Sequence, residues 1–193
     1  VIGFVFRNQL RKSVPNLFQG FRKFREENPY VKNCKLLLHT DFREGWDIKR
    51  LADEIKIDGN DILTTHVCGK CFKYEIKPYD GPDKNCSRCG AESIVNTAGV
   101  ALGVTEKYLN EIYNLMDVYC HPFTSGGQEI PIQEAKFAGI PTLVTNYSCG
   151  EEICSKEAHS LPLDWNEFRE FGTNFIKAST CPKSIAKQLK KIY

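Results

Sequence analysis

Between Asp117 and Thr145 the chain reads as a strand, a glycine loop, a helix and a second strand, an order that belongs to layered α/β folds. The strand is Asp117-Val118-Tyr119-Cys120-His121-Pro122-Phe123, and it empties into Ser125-Gly126-Gly127-Gln128-Glu129-Ile130-Pro131-Ile132-Gln133-Glu134-Ala135. The glycine pair lets the backbone bend, and Pro131 suits a first helical turn, where its missing N–H costs little. Gly139 stops the helix, and the β-branched run Pro141-Thr142-Leu143-Val144-Thr145 follows as a strand reached by a right-handed crossover. Such a unit is expected to aim the backbone N–H groups of Gln128, Glu129 and Ile130, with the positive end of the helix dipole, at a crevice on the carboxyl edge of the sheet. An anion is the ligand that suits that crevice.

The flanking sequence repeats the alternation. Val1 to Phe6 reads as a buried strand, and Arg7 to Lys12 as the loop leaving it. A helix follows, with Ser13 as cap, Pro15 in its first turn, and Val14, Leu17, Phe18, Phe21 and Phe24 at helical spacing until Asn28-Pro29. Lys35 to Thr40 is a second strand, Trp46 to Ile57 a second helix, and Asp61 to Val67 a third strand. After an interruption a helix resumes from about Thr105, its expected cap, to Met116, and Pro182, Ile185, Leu189 and Ile192 mark a terminal helix. The expected fold is a mostly parallel, Rossmann-like sheet with helices on both faces, spanning residues 1–193. Beyond Gly150 the pattern is weak until that last helix.

The 193 residues suffice for one ordinary domain with a small satellite. The longest apolar run, Leu36-Leu37-Leu38, is far short of the ~18 residues of a membrane helix. A net charge of +2 does not by itself imply nucleic acid, and the basic residues from Arg7 to Arg25 read mostly as a solvated helix face. Nine cysteines, four of them in two Cys-x-x-Cys pairs, suit an intracellular metal protein better than a secreted disulfide scaffold. A cytoplasmic location, with peripheral membrane association in a longer protein, is the corresponding expectation.

The interruption carries those pairs. Cys68-Gly69-Lys70-Cys71 and Cys86-Ser87-Arg88-Cys89-Gly90, separated by fourteen residues, have the spacing of a Cys₄ zinc site, expected as a ribbon inserted at residues 66–91. A filled set of four thiolates leaves no coordination position for water, so the zinc is expected to be structural. Redox pairs or disulfides are the rival readings, and His66 is a substitute ligand. The ribbon also interleaves Lys70, Lys73, Lys77, Lys84 and Arg88 with Phe72, Tyr74 and Tyr79, as nucleic-acid binders do, but Glu75, Asp80 and Asp83 dilute the charge.

The segment from Ser125 to Ala135, followed by Ala138-Gly139-Ile140-Pro141, resembles the donor-site segment of retaining glycosyltransferases of the group 1 type, in family 4 and its relatives. Their pattern runs Ser-Glu-Gly-Phe-Gly-Leu-Pro-x-x-Glu-Ala, then Ala-x-Gly-x-Pro. The family also places an Arg at the end of the first strand of this domain and a Lys five residues later, here Arg7 and Lys12. The resemblance covers most of the chain outside the ribbon. It implies the donor-binding, C-terminal domain of a two-domain GT-B enzyme that takes a nucleotide-diphosphate sugar and transfers the sugar without a catalytic metal. Arg7 and Lys12 would neutralise the diphosphate, and the backbone from Gln128 to Ile130 would hold phosphates and sugar. Glu134 would accept hydrogen bonds from the ribose hydroxyls, Thr124 and Ser125 would line the sugar pocket, Gly126 and Gly127 would belong to the donor-binding loop, and His121, ending its strand beside that loop, is expected to touch the donor. The acceptor, a sugar, lipid or protein, would lie on a missing N-terminal domain, so the chain is expected to bind donor without efficient transfer. One position departs: the family's first glutamate, eight residues before Glu134, falls on Gly126. Glu129 stands where the family has Gly and is expected to reach the sugar instead. Glu152 is expected to border the pocket, and His39 and His159 to be structural. The alternative reading is a non-catalytic ligand- or nucleic-acid-binding module that uses the ribbon.

Overall fold

A computed structural model describes residues 1–154 and 160–193. In chain order its first elements are β1 (Ile2–Val5), α1 (Val14–Glu27), β2 (Leu36–His39), α2 (Ile48–Ile55) and β3 (Ile62–Cys68). Two short strands follow, β4 (Tyr74–Pro78) and β5 (Val95–Thr97), then α3 (Glu106–Tyr113), β6 (Val118–His121), α4 (Ile130–Phe137) and β7 (Thr142–Thr145). The chain ends with α5 (Cys149–Ile153), β8 (Ser160–Leu163), the hairpin of β9 (Trp165–Arg169) and β10 (Ile176–Thr180), and α6 (Pro182–Ile192).

The eight-stranded sheet runs β4-β3-β2-β1-β6-β7-β8, with β5 also on β3. From β3 to β8 every neighbour is parallel, while β4 and β5 return antiparallel along β3. Continuous apolar runs make this arrangement possible: β1, β6 and β7 are buried along their whole length, which requires cover on both faces of the sheet. One cover is α1, whose buried stripe of Val14, Leu17, Phe18, Phe21 and Phe24 faces the core while its flank packs on α6 and α2. On the far side of β1, α4 crosses from β6 to β7 and packs on both strands. The expected α/β, Rossmann-like architecture is therefore the one observed.

Several helix ends follow local chemistry. Thr105 caps α3 by accepting from the Tyr108 amide (3.3 Å), and Gly139, at φ 74°, turns the chain out of α4. Ser13 does not act as expected. A tight turn at Leu10–Lys12 runs directly into α1, forcing Ser13 to φ 40°, ψ 38° with no side-chain cap. Its carbonyl, not its hydroxyl, accepts from the amides of Asn16 (3.0 Å) and Leu17 (3.2 Å). Among the described residues no helix is long and apolar enough to cross a membrane.

Candidate functional site

β1 lies between β2 and β6, and the chain leaves β1 toward β2 but leaves β6 toward β7. The loops after β1 and β6 therefore diverge, opening a crevice at the carboxyl edge of the sheet. The two loops are tied where the Thr124 amide donates to the Arg11 carbonyl (2.8 Å). Two larger cavities, of 520 and 540 Å³, lie at the opposite edge, among the segments that enter β1, β2, β3 and β6. Parallel sheets do not place ligands there.

The crevice floor is an ion cluster. Glu129, the residue preceding α4, pairs its Oε2 with the Lys12 ammonium and its Oε1 with the Arg11 guanidinium (2.6 Å). The Lys12 and Glu129 side chains are only 4% and 5% exposed, so this is a buried pair with Arg11 as its half-exposed outer member. His121, at the end of β6, completes the cluster, with Nε2 3.2 Å from Lys12 Nζ and 3.3 Å from Glu129 Oε2. Tyr119 fixes the imidazole. Its hydroxyl donates to the Val5 carbonyl (2.9 Å), so the 2.9 Å contact with His121 Nδ1 has the ring donating to the phenol oxygen. Nε2 is then free to accept from Lys12.

Burial pushes the His121 pKa down to about 4, and the ring is neutral at physiological pH. Burial also opposes ionisation of Glu129, yet its pairing with the Lys12 ammonium holds the carboxyl well below the usual range. Lys12 is lowered by burial, an effect that Glu129 partly offsets.

The other residues singled out from sequence take separate places. Arg7 is exposed and donates from Nε to Glu44 Oε2 (3.2 Å), on the β2 side of the crevice. Glu134 accepts from the buried Tyr113 hydroxyl (2.7 Å); burial and that carboxylate together raise the tyrosine pKa far above its ordinary value. A cavity of about 230 Å³ is bordered by Val5, Arg7, His39, Asp41, Val100 and Pro131. His39 donates or accepts at Thr65 Oγ1 (3.0 Å), and burial lowers its pKa to about 4. The Ser125 hydroxyl accepts from Lys177 (2.8 Å) and its carbonyl from Arg11 (3.4 Å), while the Gly126 carbonyl accepts from Ser148 (2.7 Å). Gly127, Gln128 and Ile130 are exposed, as is Glu152 on α5. His159 lies outside the described residues. Sequence reasoning missed Arg11 and Lys177 as members of the site; Lys177 arrives from the β9–β10 hairpin, which carries no motif.

At the far end of β3 the four cysteines of the two Cys-x-x-Cys pairs converge, all sulfurs within 4.8 Å of one another. The Sγ atoms of Cys68 and Cys89, and of Cys71 and Cys86, are 3.8 Å apart. A disulfide needs about 2.05 Å. A tetrahedron with Zn–S bonds of about 2.3 Å has edges of about 3.8 Å, so the set is compatible with zinc. The amides of Lys70 (3.4 Å) and Cys71 (3.5 Å) donate to Cys68 Sγ, as a thiolate ligand requires. His66 stays away: it is buried in β3 and stacks on Tyr79. Of the nearby basic side chains, Lys77 pairs with Asp80 (3.0 Å) and Lys73 lies over the Tyr108 ring.

Compared by sequence, the chain matches no protein-family model and no curated protein. Compared by structure, it is similar over 99% of its length to the C-terminal domain of a group 1 glycosyl transferase, LpcC, from Francisella tularensis (TM-score 0.57, 11% identity, 73% of that chain). It is similar over the same share to OtsA in its apo form (TM-score 0.57, 13% identity) and to OtsA described as trehalose-6-phosphate synthase (TM-score 0.56, 14% identity). The chain spans 35% of each OtsA chain. At these identities the likeness is one of fold: a Rossmann-like half of the GT-B type.

Proposed function

We propose that this domain binds a nucleotide-diphosphate sugar and is the donor half of a retaining GT-B glycosyltransferase. The observation that carries the reading is the convergence of Lys12 and Arg11, with Lys177 close by, on the glycine loop and the start of α4 at the sheet's switch point. A departing nucleoside diphosphate gains negative charge as the glycosidic bond breaks. Two cations and a helix N-terminus stabilise that charge in the transition state without a metal. Glu134, held by Tyr113, accepts the ribose hydroxyls, and Arg7 closes on the diphosphate from the β2 side by leaving Glu44. The backbone of Gln128 to Ile130 contacts phosphates and sugar. The acceptor and its binding groups belong to a separate N-terminal domain, so the isolated domain binds without efficient transfer.

The cysteine lobe, proposed to span residues 66–91, would hold a structural zinc through Cys68, Cys71, Cys86 and Cys89, a role that fits a reducing, cytoplasmic setting. Calorimetric titration with UDP, GDP, ADP and their hexose conjugates tests the donor site. One nucleotide is expected to saturate the domain, with at least tenfold weaker binding in Lys12→Met and in Glu134→Gln. Failure of all of them at millimolar concentration would overturn the reading.

A further inference from the structure

The Lys12 ammonium is buried where a donor phosphate should sit, and the position beside it is already taken. We infer that the Glu129 carboxylate is the resident anion of the phosphate site, so that a diphosphate binds by displacing it. The inference rests on the donor-binding reading above.

Three observations carry it. Both Glu129 oxygens are engaged by cations, Oε1 by Arg11 and Oε2 by Lys12, which is how one phosphoryl group would bridge the same pair. The space for that carboxylate exists because residue 126 has no side chain: a Cβ there would fall inside van der Waals contact with Glu129 Oε1. The pattern this segment resembles has Glu at the position of Gly126 and Gly at that of Glu129, so the chain has moved one carboxylate three residues along, off the loop and onto Lys12. Finally, Glu129 cannot share the site with a diphosphate. Lys12 and Arg11 bring two positive charges and Glu129 removes one, leaving too little to hold a ligand with two or more negative charges beside an ionised carboxylate. The carboxylate has a way out, because the residues before it, Gly127 and Gln128, are exposed.

The site should therefore select by charge. A ligand reaching both cations, as a diphosphate does, recovers what Glu129 gives up, whereas a single weakly charged group does not. The resident carboxylate keeps Lys12 paired when no ligand is bound.

The test is titration with inorganic pyrophosphate by calorimetry, using wild type, Glu129→Gln and Gly126→Ala, each with and without Lys12→Met. Glu129→Gln removes the competing charge. Gly126→Ala leaves every charge in place and pushes the flexible carboxylate aside, which keeps the test decisive if the Gln variant folds poorly. Both are expected to bind pyrophosphate at least tenfold more tightly than wild type, with the gain lost on adding Lys12→Met. Lys12-dependent binding that is equally tight in wild type and both variants would overturn the inference and leave the donor reading standing. No pyrophosphate binding in any of the proteins would overturn both.

Discussion

The crevice at the switch point and the cysteine lobe are both loop-built and rich in charge, yet they are held by opposite means. The crevice rests on strands whose residues are buried end to end, and even its charged floor is inside the protein. The lobe has little apolar interior of its own: Cys68, Cys86 and Val95 form its buried cluster, with Cys71, Ala91 and Ile94 packed partly against them, and Phe72 is exposed. Crevice geometry is thus a by-product of core burial, whereas lobe geometry depends on whatever joins four sulfurs. A short polar segment cannot otherwise offset its ordering entropy.

The largest expected effect separates the two directly. Structural zinc contributes about 10–16 kcal/mol of apparent binding energy in small domains. Treatment with a strong chelator, or Cys86→Ser, should abolish hydrogen-exchange protection between Cys68 and Val95 while β1, β2, β6 and β7 keep theirs. Protection of the lobe that persists without metal would mean that its packing suffices, and the contrast would collapse.

A smaller effect is expected inside the crevice. Lys12→Met leaves Glu129 buried with only the outer Arg11, and breaking a buried pair in this way costs about 3–5 kcal/mol. Urea unfolding should show that loss, and adding Glu129→Gln should restore most of it, because the uncompensated charge is then gone. Metal content should not change in either variant. A Lys12→Met protein as stable as wild type would show that the cluster is less isolated from water than its exposure implies.

The regions also differ in what sequence could reveal. Strands β1, β2, β6 and β7, helix α1 and the turn into α4 are legible because burial on both faces imposes unbroken apolar runs, and helical periodicity, proline and glycine mark the rest. β4 is not, since its residues are only half-buried along their length and follow no apolar face. The β9–β10 hairpin is missed for the same reason: β9 is exposed from Asn166 to Arg169, so nothing forces alternation. The cysteine set was readable from spacing alone, because chemistry fixes it locally. The ion cluster was readable only in part. Lys12 and Glu129 were each singled out, but their pairing joins two loops far apart in sequence, and Arg11 carried no signal beyond being basic. The clue available was the joint departure at Gly126 and Glu129.

Acid should also act on the crevice. His121 titrates at about 4 in the folded protein against an ordinary 6.5, as does His39. The unfolded chain takes up these protons first, so the stability they guard is complete above pH 6.5 and is lost as pH falls toward 4. Each depressed pKa corresponds to roughly 3 kcal/mol across that window. Glu129, also depressed, adds its loss only below about pH 4.5, where the unfolded carboxylate protonates. A His121→Gln variant should flatten the pH 6.5 to 4 slope in urea midpoints, and an unchanged slope would place the proton uptake elsewhere.

The smallest effect concerns how rigidly the fold presets the crevice. Ser13 follows Lys12 directly and is held in the left-handed region, which costs an L-residue roughly 1–2 kcal/mol, without a side-chain cap in return. Glycine would remove the steric penalty but adds unfolded-state entropy, so Ser13→Gly should stabilise the domain by no more than about 1 kcal/mol. The backbone would keep its path, because the turn at Leu10–Lys12 and the Ser13 carbonyl bonds to Asn16 and Leu17 need no side chain. Lys12 would stay buried, and pyrophosphate affinity should match wild type within a factor of two. A large change in affinity would show that residue 13 controls the placement of Lys12, and that the crevice depends on its loops as the lobe depends on its sulfurs.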